Sequence, residues 1–357
     1  MISGIVFLGQ NLAANMARSG ITPGFGFLSH PANFDIGESL IGFTPQDSYG
    51  RAILAGLLNT LLVSILGCMF ATALGVALGV ARLSSNLLIA GLVRSYVELF
   101  RNTPLLLQLF FWSALAKALP AVRQALEPLP GFLLTNRGFY FPSIRFAGVA
   151  SGPFFIGILF MGAAGWWAVS KLLRNQPRLR SRAHAALSIG MVIVLIVLSL
   201  AGYLLVDWPL PKGFNIVGGL SWSPEFSVLL FGLVINAAAG IAEIVRGGME
   251  AVPAGQWEAA RSLGLGPAQM FRLVVLPQAL RIVIPVLISS YLSLTKNSSL
   301  AVAIGYPDMV NILNTTANQA GHALEAILIM MGIYLLISFT VSAILNLYNR
   351  KLALVTR

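Results

Sequence analysis

Long apolar runs dominate this chain, and short alternating stretches are few. A helix that crosses a bilayer needs about 20 mostly apolar residues. Seven stretches offer that: Ala52–Ala81, Leu88–Leu119, Ala147–Ser170, Ala185–Val206, Phe226–Val245, Ala279–Thr295 and Ala323–Tyr348. Several carry an interior glycine or charge. Between the fifth and sixth runs the pattern changes. Met249–Leu280 mixes polar and small residues with apolar ones at helical spacing and reads as two short helices. Pro253 and Gly255 open the first, which runs to about Leu263. Gly264 and Gly266 end it, since glycine takes left-handed angles without penalty. Pro267 starts the second, where its missing N–H costs nothing. Within that second helix Met270, Phe271, Val274 and Val275 share one face. The expectation is an all-α polytopic membrane protein with about seven spans and one cytosolic helical insert.

Composition agrees. Of 357 residues, 57% are hydrophobic and only 10% charged, whereas soluble domains carry about 25% charged residues. The 23 Lys and Arg against 12 Asp and Glu give a formal charge of +11. Basic residues collect on cytosolic loops of membrane proteins. With the Glu258 loop placed in the cytosol, 14 basic residues fall inside and 7 outside. The loop Lys171–Arg182 holds five positive charges and no negative one. This threading leaves residues 1–51 outside and a C-terminal tail, 349–357, in the cytosol. Met1–Gly9 is apolar but too short to span, and it lacks a charged start and a cleavage site; an upstream helix is expected to be missing. No basic face on a soluble module is present, which argues against nucleic acid as a partner.

Candidate chemistry is sparse. Cys68 is the single cysteine and His30, His184 and His322 are scattered, so neither an intrachain disulfide nor a metal cluster is expected. There is no G-x-x-x-x-G-K-[ST] stretch, so the chain is not expected to hydrolyse ATP. Ionisable residues at membrane depth are functional candidates by default. Glu98 and Arg101 stand three apart and can pair along one helix face. Pro104 removes a backbone hydrogen bond and frees carbonyls beside them. Lys296 ends an apolar run, and with Asn297, Ser298 and Ser299 it is expected to mark an unwound segment facing a cavity. Together with Asn102 and Thr103 these side chains could meet both ends of a zwitterion: donors for a carboxylate, oxygens for an ammonium. The plainer alternative is a set of charges that fixes helix register. Glu243 with Arg246 reads as a structural pair at the cytosolic edge.

Within the insert, Glu258-Ala259-Ala260-x-x-x-Gly264 is followed after nine residues by Val274-x-Leu276-Pro277. The small Ala259 and Ala260 would let a partner backbone come close, and Glu258 could receive an arginine or N–H from it. On spacing alone an amphipathic helix lying on the membrane surface remains open. The whole pattern resembles the EAA signature of permease subunits of bacterial ABC importers. Its context is fuller: Ala242-Glu243-Ile244-Val245-Arg246-Gly247-Gly248 before it, Lys296-Asn297-Ser298-Ser299-Leu300-Ala301 and Ile304-Gly305-Tyr306-Pro307-Asp308 after it, and Glu98-Leu99-Phe100-Arg101-Asn102-Thr103-Pro104-Leu105 upstream. These resemble the polar amino acid family of importer permeases, the histidine/glutamine permease-like group. Within it the chain is most similar to the larger general L-amino acid permeases, which carry an extra helix pair, here 147–206.

The resemblance implies a type I ABC importer transmembrane domain over 52–348 with the coupling loop at 249–280. It implies import by alternating access in the bacterial inner membrane. Glu258, Ala259, Ala260, Gly264, Leu276 and Pro277 would couple to two separate ATPase subunits, which would bind ATP and Mg, so no cofactor is expected on this chain. A second homologous permease, a different chain in the larger subgroup, and a periplasmic amino acid binding protein would complete the machine. Another small polar solute would fit the same motifs. An ion-coupled secondary transporter would need two related halves, and none is seen. A membrane-embedded enzyme would need a base for Ser298 or Ser299, and none is placed.

Overall fold

The computed structural model describes residues 24–146 and 204–353, with scattered helical positions before and between them. The helix pair expected at Ala147–Ser170 and Ala185–Val206 falls largely outside the described residues; the described positions 165–166, 168–170, 185–190 and 193 are helical. Where its end is described, residues 204–206 are extended strand, so a helix there stops short of Val206. Contacts divide the chain into two units, residues 1–116 with 225–357, and residues 117–224.

The first unit is helical. Its helices are α1 (Tyr49–Ala81), α2 (Leu87–Asn102) and α3 (Leu105–Lys117), then α4 (Pro224–Glu250) and α5 (Ala254–Ser262). They continue with α6 (Pro267–Met270), α7 (Leu276–Asn297), α8 (Met309–Ala320) and α9 (Ala323–Ala353). Four stretches among the described residues are long and apolar enough to cross a membrane: Tyr49–Arg82, Pro224–Glu250, Pro267–Ile304 and Ala323–Ala343. The run expected as one span, Leu88–Leu119, is instead two helices. Pro104 cannot donate to Phe100 and clashes with continued helix, so the chain breaks at Thr103. The orphaned carbonyl of Phe100 is not wasted. It accepts from Gln108 Nε2 and from Asn236 Nδ2, each at 3.0 Å.

The spans differ in how deeply they sit. Of the most apolar window of α4, 56% is buried, against 6% for α9. So α4 is the interior helix, and α9 shows its face to lipid or a partner. The approach of α1 to α4 is set by small residues, as expected where helices pack without a hydrophobic drive. A Cβ on Gly75 would lie 2.6 Å from the Ile241 side chain and 2.9 Å from the Ala238 carbonyl. One on Gly79 would lie 2.7 Å from Val245 and 2.8 Å from the Ala242 carbonyl.

The predicted second short helix of the insert is not separate. α6 runs through a wide π turn, Phe271–Val275, directly into α7. Nor is the stretch after Lys296 unwound. It tightens into a 3₁₀ helix, Ser298–Ile304, that stops at Gly305 with φ 83°. The polar side chains there bond back to their own turn: Ser298 Oγ donates to the Thr295 carbonyl and Ser299 Oγ to that of Lys296, each at 2.7 Å.

At the other end of α1 a strap, residues 24–48, packs Phe27, Ala32 and Ile36 against α1, α8 and α9. Asn59 Nδ2 donates to the carbonyls of Glu38 and Pro307, and the Thr60 hydroxyl accepts from Met309 N at 3.0 Å. Asp308 caps α8, its Oδ1 accepting from Asn311 N at 2.9 Å. Burial pushes this carboxyl up to about 7, against backbone amides that pull it down.

The second unit holds short strands: β1 (Leu126–Leu129), β2 (Phe132–Thr135), β3 (Gly138–Phe141), β4 (Ser143–Phe146), β5 (Leu204–Asp207), β6 (Leu210–Lys212), β7 (Asn215–Val217) and β8 (Leu220–Trp222). β1, β2, β3 and β8 form an antiparallel sheet, and β4–β5 and β6–β7 pair separately. The pattern of long apolar runs announces none of these strands. Strands of three or four residues leave too short an alternation to stand out in so apolar a chain. The described residues are mostly helical, as the long apolar runs imply.

Candidate functional site

The break at Pro104 builds a cavity. Because α2 ends where Asn236 of α4 reaches across to Phe100, Arg101 is left at the junction of α2, α4 and α7. A cavity of about 340 Å³ opens there, lined by Arg101, Leu105, Leu233, Asn236, Ala237, Gly240, Val286, Ser289, Ser290, Ser293, Leu294 and Asn297. Its character is mixed. Apolar walls carry one guanidinium, two carboxamides and three hydroxyls, a set that can meet a small polar solute.

Of the predicted path residues, the structure brings Arg101 and Asn297 together on this cavity and does not place the others on it. Glu98 does not pair with Arg101. Three residues on, the two side chains diverge, and Glu98 takes Arg94 one turn back, Nε to Oε1 at 2.8 Å. Arg101 instead faces Glu243 across the helix interface at 4.0 Å. Asn102 is exposed, and the Thr103 hydroxyl donates to its own helix, at the Leu99 carbonyl. Lys296 is exposed and makes no ion pair among the described residues. Ser298 is fully buried.

Sequence reasoning missed Asn236, Ser289, Ser290 and Ser293. A signal existed. Positions 289, 290, 293 and 297 form a polar stripe at helical spacing inside an apolar helix. Glu243 was read as half of a local pair. It is a hub: its carboxylate meets Arg82 at the end of α1, Arg101 of α2, and Arg246 one turn on, which also holds Glu250.

The second feature is the elbow between α5 and α6. The α5 helix closes with a bond from Leu265 N to the Ala260 carbonyl, and Gly264 takes φ +70°. That angle is in the left-handed region that L side chains avoid. Gly266, with φ −66°, is an ordinary extended entry to α6. Glu258, Ala259 and Gly264 are exposed, and Leu263 is 79% exposed at the tip. Ala260 is not offered to a partner. Its side chain is buried within the chain. Leu276 is half-buried and Pro277 exposed at the start of α7. Gln278 ties the elbow down, its Nε2 donating to Gln256 Oε1 at 3.1 Å.

Comparisons with known proteins place the family and the fold. The family model described as binding-protein-dependent transport system inner membrane component matches residues 186–354. Over its full length the chain is 44% identical to the putative amino-acid ABC transporter permease protein YhdX of Escherichia coli (strain K12), covering 92% of that protein. It is 43% identical to the general L-amino acid transport system permease protein AapQ of Rhizobium johnstonii, covering 90% of it. A crystal structure of an amino acid ABC transporter with histidines superposes with a TM-score of 0.51 at 22% identity, covering 85% of this chain and 95% of that one. That likeness shows the fold.

Proposed function

Since the chain belongs to the family of binding-protein-dependent transport system inner membrane components, we propose that it carries amino acids inward as one wall of an ATP-driven importer. It is a multi-pass inner-membrane permease subunit and not an enzyme. Families of this kind work with an ATPase, a second permease and a binding protein. In the finer reading, two ATPase subunits hold ATP and Mg and grip the elbow around Glu258, Leu263 and Gly264. A different but homologous permease closes the open side of the cavity. The elbow and the C-terminus are cytosolic, and a periplasmic protein delivers the solute.

The observation that carries the reading is the pairing of an exposed, glycine-hinged elbow with a polar cavity on the same helix run. α6 passes through its π turn into α7 without a break, and α7 brings Ser289, Ser290, Ser293 and Asn297 to the cavity. A push on the elbow is therefore carried along one continuous run, through the π turn and past Pro285, to a wall of the cavity. The Arg101 guanidinium would take the solute carboxylate. Asn236, Asn297 and the serine hydroxyls would accept from its ammonium.

The experiment is reconstitution. The chain co-expressed with its candidate permease partner and ATPase is placed in liposomes with the binding protein, and uptake of labelled amino acids is measured. Uptake that needs both enclosed ATP and the ATPase supports the reading. Uptake by this chain alone down an ion gradient refutes it.

A further inference from the structure

We propose that Glu243 is the positioning residue that links occupancy of the cavity to the coupling elbow, by sharing Arg101 with the carboxylate of the bound solute. The proposal rests on the reading of the cavity as the solute path.

Five charged side chains form one connected line. Arg101 lines the cavity and faces Glu243. Glu243 also binds Arg82 and Arg246, and Arg246 binds Glu250. At its far end Glu250 lines a second cavity, of about 790 Å³, together with Ala254 and Trp257 of α5. The line thus begins in the solute cavity and ends against the helix that leads into the elbow. It also crosses three helices, since Arg82 caps α1, Arg101 sits on α2, and the rest sit on α4.

The line is unbalanced. Three arginines face two carboxylates, which leaves one positive charge without an opposite among the five. The contacts are also unequal. Arg101 stands at 4.0 Å from Glu243 with half of its side chain exposed, while those of Arg82 and Arg246 are 17% and 27% exposed. Desolvated pairs hold harder than exposed ones. Arg101 is therefore the exchangeable partner, and a solute carboxylate both neutralises the surplus and takes it. Glu243 is then left to Arg82 and Arg246. Its grip on Arg246 competes with that of Glu250, so the end of α4 beside α5 registers the change. The common feature of the solutes read this way is their α-carboxylate, not their side chains.

The test uses the assembled importer, with ATPase and amino-acid-loaded binding protein, in lipid nanodiscs. The readout is the ratio of solute-stimulated to basal ATP hydrolysis. E243Q in the assembled complex is expected to lower that ratio about tenfold, within the usual range of coupling between sites. E243D is expected to restore most of it. The double variant R101Q with E243Q is expected to lose no more than the worse single variant, because both act on one line. A wild-type ratio in assembled E243Q, or losses that multiply in the double variant, would overturn the proposal and leave Glu243 a structural pair. If E243Q does not assemble, the exposed Glu250→Gln carries the test: a lowered ratio supports the line, and a wild-type ratio overturns it. R101Q with wild-type uptake and stimulation would refute the cavity reading itself, which separates that failure from a failure of the relay alone.

Discussion

Replacing Gly264 separates what the elbow needs to fold from what it needs to transmit force. Its φ of +70° is one that an L side chain adopts at a strain of about 1–2 kcal/mol. A Cβ built there meets no atom of this chain within 4 Å. Within the isolated permease, then, strain is the whole effect, and it is nearly the same for alanine and leucine. Asparagine, which tolerates left-handed angles, suffers least. On an ATPase the situation differs, because the space beyond Gly264 is where a partner surface would lie. Each added methylene would press into that contact. Overpacking of a fitted surface costs about 1–3 kcal/mol, so leucine should weaken ATPase binding about 5- to 150-fold beyond the effect of alanine.

The assay has two arms. Thermal unfolding of the detergent-solubilised permease should show G264A and G264L displaced together, by a few degrees at most, with G264N close to the parent. Equilibrium binding of the ATPase to permease in nanodiscs should rank the parent above alanine, and alanine well above both asparagine and leucine, which have similar bulk. If leucine recruits the ATPase as well as alanine does, the space beyond Gly264 is solvent and the elbow is not the contact. If leucine unfolds the permease far more than alanine, the tip is packed inside this chain and the argument from open space fails.

Three further outcomes follow from other parts of the structure. Gly79→Leu drives its side chain into Val245 and the Ala242 carbonyl, backbone that cannot yield, and should abolish recovery of folded protein in the membrane; G91L, whose site is open, should not. Asn236→Leu leaves the cavity with one carboxamide fewer and the Phe100 carbonyl with Gln108 alone, so uptake should fall about tenfold at unchanged permease abundance, as removal of one buried hydrogen-bonding group predicts. Asp308 is held up to about 7, so folding favours its protonated form. The stabilisation from that proton is complete below the ordinary carboxylate range near pH 4 and is lost as pH rises through 7. D308N should flatten this dependence, with a melting temperature near the parent's at pH 5 and above it at pH 8.5, read by unfolding scans across that range.

What the sequence made legible was whatever depends on local chain chemistry. The hydrogen bond lost at Pro104 was legible because proline acts locally, yet the run Leu88–Leu119 still read as one span, and the structure breaks it at Thr103. The left-handed turn at Gly264 is local as well, since only the glycine and its neighbours decide the angle. Arg101 and Asn297 stood out because charge and amide are rare inside apolar runs. Errors arose where a residue's partner lies on another helix. The pairing of Glu98 with Arg101 was argued from spacing, yet spacing only says which neighbours are within reach on the same helix. Glu98 had a better one in Arg94, and Arg101 pointed across to α4. Ala260 was assigned outward because small residues invite approach, but here the approach is made by the protein's own chain.

The same distinction explains why Glu243 escaped notice. Spacing of three to Arg246 accounts for it completely at the level of one helix, so nothing in the sequence asks for more. Only the crossing of α1, α2 and α4 brings Arg82 and Arg101 to the same carboxylate. That crossing is close because Gly75 and Gly79 let α1 sit against Ala238 and Ala242. The small residues and the ion-pair hub are therefore one design. The glycines bring the end of α1 near enough for Arg82 to reach Glu243, and without that second cation Glu243 could not release Arg101 cheaply. A bulky residue at Gly75, placed well above the charges, should accordingly disturb coupling in any variant that still folds, although it touches neither the cavity nor the elbow.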